Sequence, residues 1–196
     1  MSGGFRHLGD ELLQEGHVIS MYRSRFEAPD GEVFDREVVR HPGAVSVVPL
    51  LDDGDVVLVR QYRPALDAWL LEIPAGKRDV ADEPLEETAR RELVEEVGLR
   101  PGRLQRLARF HNSVGFSDEE CHVFLGTELT EAPQDLQGIE ERFMEVVRVP
   151  LATTPRLIAA GDITDAKTVI GHTLAPAFPD RAPAGPGPAR GAARPP

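Results

Sequence analysis

Apolar and polar positions follow two rhythms along the chain. HVISMYRSRF and EVFDREVVRH flank the turn sequence APDG, and their partial alternation predicts a β-hairpin near the N-terminus. GAVSVVPLL and DVVLVRQYR flank DDGD and are more continuously apolar, which predicts a second, more buried hairpin. WLLEIPAG reads as a strand ending in a glycine turn, and RLQRLARFHNS, ECHVFLGTEL and FMEVVRVPL supply three further strands. Between them the period lengthens: Leu85, Ala89, Leu93 and Val97 recur every four residues, with Val94 alongside, and predict a helix with one core-facing stripe. Segments 153–160 and 164–174 predict short helices punctuated by Gly161.

The long helix is well bounded. Pro84 suits its first turn, Asp82 or Glu83 can cap it, Glu86 and Glu87 face the positive N-terminal end, and Gly98 can close it in the left-handed conformation. Glu86 with Arg90, Glu87 with Arg91, and Arg91 with Glu95 are opposite charges four residues apart, worth about 0.2 to 0.5 kcal/mol each. Those pairs fit a solvated, salt-bridged face. Glu92 and Glu96 do not, because no residue three or four positions from Glu92 is cationic. Glu92, Glu95 and Glu96 also occupy the last turns, where the helix dipole costs an anion about 0.3 to 1 kcal/mol. A hard divalent cation held by oxygen ligands would reverse both penalties, and Mg²⁺ suits one or two carboxylates completed by water and phosphate oxygens.

Composition narrows the setting. The chain has 196 residues, enough for one sizeable core plus an extension. No apolar run approaches a membrane span, and MSGGFRHLGDELL lacks the apolar core of a signal peptide, so a cytoplasmic protein with no membrane partner is expected. Cys121 is the single cysteine, which excludes an internal disulfide and a multi-cysteine zinc site. A net charge of -11 argues against a nucleic-acid polymer as partner. From Pro176 onward the chain is dominated by Pro, Gly, Ala and Arg, and a disordered tail is expected there.

Gly76, Glu83 and the run Arg91-Glu92-Leu93-Val94-Glu95-Glu96-Val97-Gly98-Leu99 resemble the Nudix box, G-x5-E-x7-R-E-U-x-E-E-x-G-U, where U is a bulky aliphatic residue. Every fixed residue type is present, and the departure is one extra residue between Gly76 and Glu83, in the loop before the helix. The resemblance implies an α/β fold: an α/β/α Nudix sandwich with a mixed sheet, preceded by an N-terminal β-hairpin exchanged between subunits of a homodimer. The divisions expected are an N-terminal segment 1–14, the hairpin region 15–42, a Nudix hydrolase domain 43–175 and the tail 176–196.

By position, the resemblance makes Glu92 and Glu96 the principal ligands of Mg²⁺, with Mn²⁺ as a substitute, Glu95 assisting and the Ala75 carbonyl completing the site. Arg91 would hold the glutamates and Glu83 would tie the helix. EIPAGK, VRQYRPAL, GFSDE and GDITDAKTVIG resemble the ADP-ribose pyrophosphatase branch, which implies hydrolysis of ADP-ribose to AMP and ribose 5-phosphate. In that branch a loop glutamate downstream of the box takes the proton of the attacking water; LQGIEERFMEVV offers Glu141, with Glu140 second. Arg63 sits where the branch places an arginine on the diphosphate, and Arg36, Glu37 and Glu119 are further substrate candidates. Without the resemblance, Arg63 is a strand-end arginine available to a surface acid, and Arg36, Glu37 and Glu119 are sheet-edge charges.

The branch usually carries proline in a pattern like SPGF, whereas this chain has Val114 in NSVGF. That keeps other substrates in view, namely GDP-mannose or a flavin or nicotinamide dinucleotide, as well as a non-catalytic nucleotide-binding module. His111 and His122 have no partners at ligand spacing and are assigned no role, and Trp69 alternates as a core or dimer-surface residue.

Overall fold

The structure, a computed structural model, describes residues 4–136 and 139–177. The tail expected from residue 176 therefore lies, beyond Ala177, outside the described residues. Strands β1 (Arg6–Glu15), β2 (Ser20–Glu27) and β3 (Val33–Arg40) form an antiparallel three-stranded sheet in that order. The sequence placed only β2 and β3; β1 carries Leu8 and Leu12 exposed among charges, so no buried face marks it as a strand.

Strands β4 (Ala44–Pro49), β5 (Asp55–Arg63), β6 (Ala68–Glu72) and β7 (Ala75–Lys77) precede helix α1 (Leu85–Val97). The long antiparallel pair β8 (Leu99–His111) and β9 (Glu120–Glu131) follows, then β10 (Glu145–Pro150), α2 (Thr154–Ala160) and α3 (Ala166–Leu174). One sheet has the order β7-β4-β9-β8, with β4 and β9 parallel, and another has the order β10-β5-β6. The expected second hairpin is thus not a hairpin. β4 and β5 belong to different sheets and share one isolated bridge, Leu50 with Val56.

The reason is burial. β4 alternates between two covered faces: Val45 and Val47 pack with Ala89 and Leu93 of α1 and with Phe124, while Val48 joins Val123, Leu125, Leu58 and Ile73 on the other side. A strand apolar on both faces belongs in the middle of a sheet, covered from both sides. The result is an α/β/α sandwich, with α1 on one face of the central sheet and α2, α3 and the second sheet beyond the other. Among the described residues, no helix is long and apolar enough to cross a membrane.

Candidate active site

The buried stripe of α1 fixes which way its acids point. With Ala89 and Leu93 wholly buried against β4 and β9, the remaining arc presents Arg91, Glu92, Glu95 and Glu96 towards β7. Gly98 closes the helix in the left-handed conformation (φ 65°), its N–H donating to the Leu93 and Val94 carbonyls. The start differs from expectation. Pro84 stands just outside the helix as an extended cap residue and no side chain caps the turn; Glu83 is drawn to Arg91 instead. The extra loop residue is taken up between β7 and α1, where Asp82 adopts a left-handed conformation (φ 61°) and the Glu83 N–H donates to the Val80 carbonyl. The insertion therefore leaves β7 seated on the helix.

That seat is close. The Ala75 N–H donates to Glu96 Oε2 at 2.9 Å, and a Cβ on Gly76 would lie 1.8 Å from the Glu92 carboxyl carbon. Only glycine lets this backbone meet the Glu92 carboxylate. Arg91 Nη1 donates to Glu92 Oε1 (2.9 Å) and Glu95 Oε2 (3.1 Å), and Nη2 donates to Glu83 Oε2 (3.2 Å). Glu92 thus has a cationic neighbour after all, the adjacent residue, whose long side chain reaches around the helix. Arg90 turns away to Glu87 and the Pro101 carbonyl. One guanidinium nevertheless serves Asp79, Glu83, Glu92 and Glu95 together. Burial first, and then the nearby acids, push the Glu92 carboxyl up to about 7 and the Glu96 carboxyl up to about 8. For Glu96 the acids are Glu92 and Glu141, so Glu141 lies within electrostatic reach of the helix.

These groups line one cavity of about 800 Å³, which also takes in Arg63, Glu72, Ala75, Glu119, Asp165 and Lys167. Ala75, Arg91, Glu92, Glu95, Glu96, Glu141, Arg63 and Glu119 are brought together there. Arg36 and Glu37 are not. They sit exposed on β3, Arg36 donating to the Asp35 carbonyl and lying 4.6 Å from the Phe34 ring centre. The backbone of Glu140 belongs to the short turn Glu140–Phe143 beside Glu141. Glu119 accepts from the buried Cys121 thiol, which burial pushes up to about 12 and so keeps protonated. His122 is buried against Glu120, and Trp69 is part-exposed, edge-on to Tyr62 with Arg60 over its ring.

Arg63 has an unforeseen partner. Its Nε and Nη2 each donate at 2.6 Å to the carboxylate of Glu72, which is buried rather than at the surface. Glu72 also accepts from Lys167, and Lys167 pairs with Asp165 at 3.0 Å. Together the two cations hold the Glu72 carboxyl down at about 2, against the opposing effect of burial. Sequence reasoning missed Glu72, Asp165 and Lys167 as site residues. The available signal was an acid at the end of the apolar run WLLEIP and a lone lysine in GDITDAKTVIG.

The donor set around α1 is all hard oxygen, anionic, and short of cations, which fits a divalent metal ion. Among the described residues, no group of three or more His, Cys, Asp or Glu side chains is arranged so that it could hold a metal ion by itself.

Fold and cavity together define an α/β/α sandwich in which one cavity is lined by the acidic arc of α1 and by Arg63. The chain belongs to the NUDIX domain family, whose family model matches residues 40–168, and it is a Nudix hydrolase. It is 40% identical over 161 residues to an ADP-ribose pyrophosphatase of Bacillus subtilis (strain 168), covering 82% of this chain and 86% of the relative. It is 38% identical over 167 residues to an ADP-ribose pyrophosphatase of Mycobacterium tuberculosis (strain ATCC 25618 / H37Rv), covering 85% and 81%. A solved structure of an ADP compounds hydrolase shares the fold with a TM-score of 0.77 at 24% identity, over 90% of this chain and 94% of that one.

Proposed function

We propose that this chain hydrolyses the diphosphate of ADP-ribose to AMP and ribose 5-phosphate. The observation that carries the reading is the cavity itself, in which Glu92, Glu95, Glu96 and Glu141 share one wall system with Arg63. Relatives named as ADP-ribose pyrophosphatases at 40% and 38% identity support the same substrate. Glu92 and Glu96, with Glu95 and the Ala75 carbonyl, would hold Mg²⁺ or Mn²⁺. When bound, such an ion neutralises diphosphate oxygens and makes a bound water more acidic. Arg91, whose Nη1 donates to both Glu92 and Glu95, would hold those two carboxylates side by side against their mutual repulsion. Arg63 binds a phosphoryl group and orients it for in-line attack, and Glu141 takes the proton of the attacking water, with Glu140 beside it as the second candidate base.

Arg36 and Glu37 would act from a second copy in a homodimer. Support comes from exposed apolar side chains of the N-terminal sheet, Leu8, Leu12 and Val33, and of Phe5 just before it. Light scattering tests this: a monomeric particle removes both residues from the site.

The activity is tested by incubating the protein with Mg²⁺ and a panel of nucleotide sugars and dinucleotides and separating the products. AMP and ribose 5-phosphate from ADP-ribose are expected as the fastest outcome. Faster turnover of GDP-mannose makes the substrate assignment wrong. No turnover, with a melting temperature raised by ADP-ribose, identifies a binding module instead. Val114 is 80% exposed and does not line the cavity, so this substitution leaves the cavity wall of a single chain untouched.

A further inference from the structure

A guanidinium has two edges that can each make a pair of parallel hydrogen bonds, a side edge (Nε and Nη2) and an end edge (Nη1 and Nη2). In Arg63 the side edge is committed to both oxygens of Glu72. The end edge has no protein acceptor among the described residues, and the Arg63 side chain, 39% exposed, lines the cavity. Glu72 is itself sealed in, at 2%. A carboxylate so placed fixes the plane of the arginine, but it also cancels the positive charge that would attract a phosphate.

Lys167 addresses that cancellation. Its ammonium donates to the same Glu72 oxygen that receives Arg63 Nη2, and its side chain is only 12% exposed between Glu72 and Asp165. With Lys167 the network of Arg63, Lys167, Glu72 and Asp165 is neutral, whereas without it Glu72 and Asp165 would leave a net negative charge beside the Arg63 end edge and against an incoming anion. The lysine is in turn held by backbone. Asp165 accepts from the Thr168 N–H (3.0 Å) and hydroxyl (2.6 Å), and the Thr168 hydroxyl oxygen accepts from the N–H of Ile73 at 2.9 Å. Ile73 follows Glu72 directly, so the bonds run from the end of β6 to the start of α3 and back. Gly171 allows the helix this close, since a Cβ there would lie 2.7 Å from Val48 Cγ2.

Buried ion pairs are poor sources of stability, because desolvating two charges offsets their attraction. A closed network of four charges beside the cavity is better explained by geometry than by stability. We propose that Glu72 and Lys167 are positioning residues that act through Arg63, setting its end edge towards the cavity and preserving its charge for the substrate diphosphate. The inference rests on the diphosphate reading above.

The test is a double-mutant cycle read by calorimetric affinity for the α,β-methylene analogue of ADP-ribose, with kcat measured alongside on ADP-ribose. Lys167→Met in the wild-type background is expected to weaken analogue binding about tenfold or more, the range for a charge-assisted contact, and to raise KM more than it lowers kcat. In an Arg63→Gln background the same change is expected to cost less than about twofold, because the group it serves is gone. Equal losses in both backgrounds, or no loss in the first, overturn the inference. Should Lys167→Met not fold by circular dichroism, Lys167→Gln, which also removes the charge but keeps a hydrogen-bond donor for Glu72, replaces it in the same cycle with the same expectations. A wild-type protein that neither binds the analogue nor cleaves a nucleoside diphosphate overturns the functional reading itself, which separates the two failures.

Discussion

Glu96 concentrates the tension of the site in one side chain. It is 6% exposed, near the end of a helix that disfavours anions, and its carboxyl is pushed up to about 8. The Ala75 N–H that donates to its carboxylate can be satisfied equally by an amide oxygen. Glu96→Gln should therefore keep the fold, with a melting temperature equal to or above that of the wild type by calorimetry, while turnover falls about 100-fold or more in a steady-state assay. Full activity in this variant would remove Glu96 from the metal site. The misfit of Glu92, Glu95 and Glu96 was legible as a pattern of charges. The response of Arg91 to Glu92 was not, because adjacent helix residues do not normally face each other and only the bend of a long side chain brings them together.

Among the elements, β7 shows how little chain is needed to place chemistry. Three residues, Ala75–Lys77, pair antiparallel with β4 and touch the acidic arc of α1. Gly76→Ala is a clean probe, because the backbone there needs no left-handed conformation while the new methyl would occupy the place of the Glu92 carboxylate. The melting temperature should move by a few degrees at most, since a flexible side-chain end can swing away. The Mg²⁺ concentration for half-maximal activity should rise about tenfold or more, a shift read from a metal titration. Unchanged metal dependence would mean that Glu92 need not sit on β7. Helix α1, its αL closure and most strands followed from period and turn residues. The expected β4–β5 hairpin failed because a short polar turn between two apolar runs suits either a hairpin or a crossing between sheets.

For the whole molecule, one contribution to acid sensitivity comes from a histidine outside the cavity lining. His172 is 2% exposed on α3, and neither ring nitrogen has a hydrogen-bond partner among the described residues. Burial lowers its pKa from 6.5 to about 4. The unfolded chain therefore binds a proton that the folded chain refuses, so folding stability falls as pH drops below 6.5 and the loss is complete below about 4. The difference amounts to about 3 kcal/mol. Glu72 acts in a lower window: its depressed pKa contributes stability above about 4.5 that is lost as pH falls towards about 2. Glu92 and Glu96, pushed up to about 7 and about 8, act in the opposite sense and stabilise the fold as pH falls towards 4.5. The test is therefore a difference: in urea unfolding between pH 7 and 4, His172→Leu should lose less stability, or gain more, than the wild type. An unchanged slope in the variant would assign the acid sensitivity elsewhere.

By itself, the sequence determined what is local. It set the helix stripe that buries Leu93 and leaves Glu92 and Glu96 on a separate arc, the glycine that ends the helix, and the spacing of box residues that marks the family. Tertiary structure decided everything that depends on long-range partners. It split β4 from β5 into two sheets, brought β7 onto the acids of α1, and joined Arg63 to Glu72 and Lys167 across 95 positions between those last two. The physical reason is that propensity and period act over a few residues, whereas burying both faces of a strand, or pairing a buried charge, depends on whichever distant segment the packing delivers.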